Sequence, residues 1–182
     1  MATSKNKPRV SVLRIGHRLV RDDRVSTHVG LVARAFGAYE IQFVDGDDDV
    51  KRTVDDVRDR FGGVFDVRLI HGWKRAIEEW KADGGIVVHL TMYGLPLYRV
   101  INKIHDTKKD ILVVVGSRKV PSNIFSLTDY NVSVGNQPHS EISALAVFLD
   151  RLFEGEELKD KFPNHQVRII PSNTGKNVEM RD

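Results

Sequence analysis

Tyr130-Asn-Val-Ser-Val-Gly-Asn-Gln-Pro-His-Ser-Glu141 runs directly into Ile142-Ser-Ala-Leu-Ala-Val-Phe-Leu-Asp-Arg-Leu152. Tyr130 to Val134 predicts a strand that ends at Gly135. Pro138 suits the first turn of a helix. The pattern therefore predicts a helix from Pro138 to Phe153, with the Glu141 carboxylate in its first turn, where the helix dipole favours it. Ile142, Leu145, Leu149 and Leu152 then share one apolar stripe, either core or a face for a second subunit. Between strand and helix lie Asn136, Gln137, His139 and Ser140, more polar groups than a turn alone needs.

Upstream stands a similar junction, Ile111-Leu-Val-Val-Val-Gly-Ser-Arg-Lys-Val-Pro121. A near-continuous apolar run of this kind fits a strand buried on both faces. Gly116 follows it, where the backbone can come close to a ligand or simply turn. It is not a P-loop, because the second Gly and the Lys-Ser/Thr pair are missing. No Gly-x-Gly-x-x-Gly occurs in the chain, which argues against a dinucleotide fold. Gly-x-Ser-x-Gly is absent too.

The rest of the chain repeats the alternation. Val10 to Ile15, Ile41 to Val44, Phe65 to Ile70 and Gly85 to Leu90 read as strands. Arg24 to Phe36, Val50 to Phe61, Gly72 to Ala82 and Leu95 to His105 read as helices, with Trp73 and Trp80 on a core stripe of the third. Such spacing predicts an α/β fold, a mostly parallel sheet with helices on both faces. Residues 1–155 form one domain on this reading. Residues 156–182 form an extension in which Val167 to Ile170 and Asn177 to Met180 flank a Pro-Ser-Asn-Thr-Gly turn, either a β-hairpin or a loose tail.

Composition narrows the function. With 182 residues, 41% of them hydrophobic, the chain can build one core. It has no Cys, which excludes disulfides and thiolate metal clusters. His71, His89, His105 and His165 lack metal-ligand spacing, so no metal is expected. No apolar run is long enough to span a membrane. The polar, basic start predicts no secretion signal, so the cytoplasm is the expected location. The net charge of +3 is modest, but basic residues are segregated: Arg14, His17, Arg18, Arg21 and Arg24 in one group, Lys108, Lys109, Arg118 and Lys119 in another. Segregated charge can focus a positive patch for an anionic partner. On the helix that begins near Arg24, Val25, Val29, Val32 and Phe36 face the core. Arg24, Thr27 and His28 share an adjacent stripe. That stripe either meets an anionic or hydroxyl-bearing ligand or is a solvated basic face.

Taken together, these segments resemble the SPOUT superfamily of RNA methyltransferases. The Tyr130 to Glu141 block resembles their third motif, and Val113-Val-Val-Gly-Ser-Arg-Lys-Val-Pro121 their second. Leu13-Arg-Ile-Gly-His-Arg18, Arg24-Val-Ser-Thr-His-Val29, Ala35-Phe-Gly-Ala38 and His89-Leu-Thr-Met-Tyr-Gly94 resemble one branch, the archaeal tRNA (cytidine-56-2'-O)-methyltransferase family. The match runs from about residue 9 to 153. The resemblance implies a C-terminal trefoil knot, an exception to the rule against knots, and a C-terminal hairpin. It implies S-adenosylmethionine as cofactor, held by Leu90, by Gly116, Ser117, Arg118, Lys119 and Val120, and by Val132, Val134, Gly135, Asn136, Pro138, His139 and Ser140. It implies a homodimer with tRNA crossing the interface, to which the Glu141 to Leu152 helix contributes. Arg24 and His28 are then the catalytic candidates. Arg14, Arg18, Arg21 and Arg34 are the candidate RNA contacts. The chain departs from the pattern where many relatives carry Asn and Arg in the first motif: those positions fall on Val25 and Leu31. It also has Arg118 where relatives often have Glu. Two other readings compete: methylation of a base nitrogen by the same fold, and a non-catalytic RNA-binding module.

Overall fold

In the computed structural model, residues 7–16, 23–116, 120–159 and 162–181 are described. Each apolar run forms the strand expected of it: β1 (Val10–Ile15), β2 (Glu40–Val44), β3 (Asp66–Ile70), β4 (Ile86–Pro96), β5 (Ile111–Gly116) and β6 (Tyr130–Ser133). All six are parallel, in the order β3-β2-β1-β5-β4-β6. The helices between them are α1 (Asp23–Ala35), α2 (Asp48–Phe61), α3 (Trp73–Ala82), α4 (Leu97–Asp106), α5 (Ile124–Leu127) and α6 (Glu141–Phe153).

Side chains alternate across each strand, so the sheet has two apolar faces. Val12, Ile41, Phe43, Val88, Val113 and Val132 form one core with residues of α1, α2, α4 and α6. Leu13, Ile15, Val44, Val87, Leu112 and Val114 form the other with Ile77 of α3 and Ile124 of α5, and Trp73 and Trp80 pack against it. On α1, Val29 is fully buried, while Val25, Val32 and Phe36 pack against the first core. On α6, Leu145, Leu149 and Leu152 are at most 2% exposed, and Ile142 packs against the same core. That stripe is core. It is already occupied within one chain and is no face for a second subunit.

Some boundaries differ from expectation for local reasons. The last helix starts at Glu141, not Pro138, because the Ser140 side chain accepts a hydrogen bond from Ile142 N and caps it there. Four-residue α5 is too short to show a helical period in sequence. The fourth strand runs on to Pro96, and α4 starts at Leu97 instead of Leu95, because Leu95 and Pro96 pair with Val132 and Ser133.

That last pairing defines the topology. Val132 is paired with both Leu90 and Leu95, and residues 91–94 loop out between them. Gly94 lies so close to β6 that a Cβ would stand 2.5 Å from Val132 N. The chain leaving β6 passes this loop before α6 packs across α1 and α4. The crossing is the C-terminal trefoil knot that the resemblance implies.

The tail is a hairpin of β7 (Val167–Ile170) and β8 (Asn177–Met180), antiparallel and separate from the main sheet. It is tied to the end of α2 by hydrogen bonds from Gln166 N to Arg60 O at 2.9 Å and from Gly63 N to Pro163 O at 2.7 Å.

Candidate functional site

The carboxyl ends of parallel strands are where an open α/β sheet collects ligands. Here the ends of β4, β5 and β6 and the start of α6 enclose a cavity of about 390 Å³. It is lined by His89 to Tyr93 of β4, by Gly116, Val120 and Phe125, by Val134, Gln137, His139 and Ser140, and by Glu141 and Ala144 of α6. A volume of this order suits a small-molecule cofactor.

A hydrogen-bond network around His89 organises one part of the lining. His89, 2% exposed, has Nδ1 2.9 Å from Asn131 Oδ1. Asn131 Nδ2 donates to Phe125 O at 3.0 Å, and Asn131 Oδ1 accepts from Thr128 Oγ1 at 3.1 Å. Those bonds fix the amide orientation, so His89 Nδ1 carries the proton and Nε2 is left as the acceptor. Burial pushes the His89 pKa down, against the smaller opposing effect of the Asn131 bond. The imidazole is therefore neutral at pH 7. Phe125 stands edge-on to it, with centroids 5.2 Å apart.

Backbone forms much of the wall. A Cβ on Gly116 would fall 1.9 Å from Val120 Cγ2, so a side chain there would displace Val120. Gly135 has φ +126°, which disfavours a side chain. Asn136 Nδ2 donates to Met92 O at 2.7 Å and Gly94 O at 3.3 Å, tying the loop after β6 to the loop of β4. His139 Nδ1 donates to Ser140 O at 3.0 Å, on the turn into α6.

Of the cofactor candidates, Leu90, Gly116, Val120, Val134, His139 and Ser140 line this one cavity. Gly135, Asn136 and Pro138 belong to the segment that joins Val134 to His139. Val132 offers only backbone, since its side chain is fully buried in the core. Ser117, Arg118 and Lys119 lie outside the described residues, as do Arg18 and Arg21.

Two of the basic candidates are corrected. Arg14 is not on the surface. It is 0% exposed, with NH2 3.0 Å from Glu141 Oε1 and NH1 donating to Ile15 O. It sits at the buried end of β1 and reaches under the cavity to the first residue of α6. Arg34 is also buried. It donates to Gly62 O and lies 4.7 Å over the Phe162 ring, so it ties α1 to the segment ahead of the hairpin. Burial and the nearby Arg58 hold its pKa below the usual guanidinium value. Neither residue presents its charge to an RNA backbone. A lone charged side chain is normally solvated, and both residues are exceptions to that rule.

Arg24 and His28 remain exposed, on the first two turns of α1, and Thr27 beside them is half-buried. A helix joining two parallel strands starts at their carboxyl edge, so these turns stand at the same end of the sheet as the cavity. They do not line it. The cavity residues that sequence reasoning left out of the cofactor set are His89, Thr91, Met92, Tyr93, Phe125, Gln137, Glu141 and Ala144. His89 to Gly94 carried a signal in its resemblance to one enzyme branch. Phe125, on the short α5, carried none.

Comparison with known proteins gives the family and the fold. Residues 61–179 match the family model described as tRNA ribose 2'-O-methyltransferase, aTrm56. A protein of Methanopyrus kandleri named tRNA (cytidine(56)-2'-O)-methyltransferase is 52% identical over 174 residues, 95% of this chain and 97% of its own. One of the same name from Thermofilum pendens is 55% identical over 176 residues, 96% of this chain and 97% of its own. Among solved structures, the SpoU methyltransferase AviRb from Streptomyces viridochromogenes, in complex with the cofactor AdoMet, is similar in fold with a TM-score of 0.58 at 14% identity. That likeness covers 82% of this chain and 58% of AviRb, less than two thirds of its length.

Proposed function

The chain belongs to the tRNA ribose 2'-O-methyltransferase family, and from that premise we propose that it methylates the 2'-hydroxyl of cytidine 56 in tRNA, with S-adenosylmethionine as donor. The observation that carries this reading is the cavity at the knot crossing, walled by glycine-containing turns and apolar side chains. The residues present fit the cofactor. Gly116 and the backbone of 134–140 allow close approach, and no Cβ fills the turn at Gly135. Leu90, Val134 and Ala144 supply an apolar lining, while His89 and Ser140 offer polar atoms. Bound there, S-adenosylmethionine supplies a methyl group already activated by its sulfonium.

The protein's own task is then mainly to bring a ribose hydroxyl to the cavity in a fixed orientation and to help remove its proton. The 2'-hydroxyl is a weak acid, so a cation near the developing alkoxide lowers the barrier. Arg24 is an exposed guanidinium at the carboxyl edge of the sheet. Its role is to hold that oxygen or the adjoining phosphate, and His28, one turn on, is the candidate base or orienter. The reaction belongs to a subunit pair with tRNA across the interface, in the cytoplasm. No helix among the described residues is long and apolar enough to cross a membrane.

Methyl transfer to an unmodified tRNA transcript tests this reading. Replacing the ribose of cytidine 56 by deoxyribose should abolish transfer, whereas undiminished transfer would move the methyl to another position. Arg24→Ala should lower the rate by roughly 30- to 1000-fold with cofactor affinity unchanged. Near-native turnover in that variant would remove Arg24 from the site.

A further inference from the structure

Tyr93 is an aromatic ring left 77% exposed at the rim of the cavity that receives the methyl donor. Aromatic rings beside a nucleic-acid site are the side chains on which bases stack. The ring is also held on an anchored loop. Gly94, beside it, is packed on the Asn131–Val132 backbone. Asn136 donates to the carbonyls on both sides of it, Met92 O and Gly94 O. Tyr93 N donates to Thr91 Oγ1 at 3.4 Å. Its backbone is therefore placed in advance, so a partner is met with little ordering cost on the protein side. No hydrogen bond, ion pair or ring contact engages the Tyr93 side chain among the described residues.

Proteins that recognise RNA loops splay single nucleotides out and stack their bases on aromatic side chains. We propose that Tyr93 is the positioning residue that stacks the base of the acceptor nucleotide, so that its ribose faces the cavity. The inference rests on the ribose-methylation reading above. The ring lies beside the donor cavity, where an acceptor must arrive, and a base presents the flat π-face that such a ring accepts. Stacking tolerates any base, so Tyr93 sets where the nucleotide sits and not which base it carries.

The test uses the full-length protein, an unmodified tRNA transcript and S-adenosylhomocysteine. Tyr93→Ala should weaken tRNA binding by roughly 5- to 150-fold, the contribution of one stacked base. In the methylation assay the loss should fall on KM more than on kcat. Tyr93→Phe should restore both, because the ring is kept, and Tyr93→Leu should not, because bulk without a ring is insufficient. Binding of S-adenosylhomocysteine and the mass in solution should stay as in the parent protein. Unchanged tRNA binding in Tyr93→Ala, or full rescue by Tyr93→Leu, would overturn the proposal. A change in subunit mass would also overturn it, by giving Tyr93 to the interface between subunits. If the parent protein binds tRNA but transfers no methyl to ribose, the functional reading fails while the binding series still decides the role of Tyr93.

Discussion

At the residue scale, the pair Arg14 and Glu141 is the most consequential contact. Arg14 is fully buried, while the Glu141 side chain is 26% exposed. The two partners therefore differ in what each leaves behind when the other is removed. Glu141→Ala takes a carboxylate away from a fully buried guanidinium and should cost about 1–3 kcal/mol. Arg14→Met leaves a carboxylate that water can reach and should cost clearly less. Denaturant unfolding of both variants checks the order, and equal losses would mean that burial does not set it. His89 gives a second test. Its pKa is lowered in the folded state from the ordinary 6.5, so below about pH 6.5 the unfolded chain binds the proton more readily than the folded one. Stability should fall as pH drops from 7 to 5, by at most about 1.4 kcal/mol per pH unit from this residue. His89→Gln should flatten that part of the profile; an unaltered slope would locate the pH dependence elsewhere.

At the element scale, the knot depends on how closely β4 and β6 approach. A Cβ at Gly94 would lie 2.5 Å from Val132 N and 2.6 Å from Asn131 O. Both are backbone atoms inside a paired strand, which cannot swing aside as a side chain can. Gly94→Ala should therefore destabilise the fold by about 1–3 kcal/mol or more, seen as a lowered Tm. Gly175→Ala, where nothing lies within 4 Å, should be nearly neutral by comparison. The strands and helices were legible in the sequence because long apolar runs and clear 3.6-residue stripes leave few alternatives. The hairpin of β7 and β8 falls on the residues expected, with its turn between them. The register shift between Leu90 and Leu95 was not legible, since it depends on contacts with residues some forty positions later. The burial of Arg14 and Arg34 is not legible for the same reason: their partners, Glu141 and Phe162, are remote in sequence. The cofactor loops were visible through the glycines that end their strands. Thr91, Met92, Tyr93 and Phe125 reach the cavity only through the knot and through α5.

At the scale of the whole molecule, each apolar face of the sheet is covered within one chain, and the α6 stripe is spent on that core. A homodimer must use other surface. Leu95 at the end of β4, Tyr98 on α4 and Val147 on α6 are 60%, 75% and 41% exposed, and α4 touches α6. Sedimentation should give twice the 20.6 kDa chain mass at micromolar concentration, and Tyr98→Glu should shift it towards the monomer. A clean monomer that still methylates tRNA would remove the need for two subunits. The function itself is tested most directly by mass spectrometry of an unmodified tRNA transcript, digested after incubation with the protein and S-adenosylmethionine. The expected result is a single added methyl, on the ribose of cytidine 56. A methyl on a base, or a transcript that binds and emerges unmodified, would contradict it.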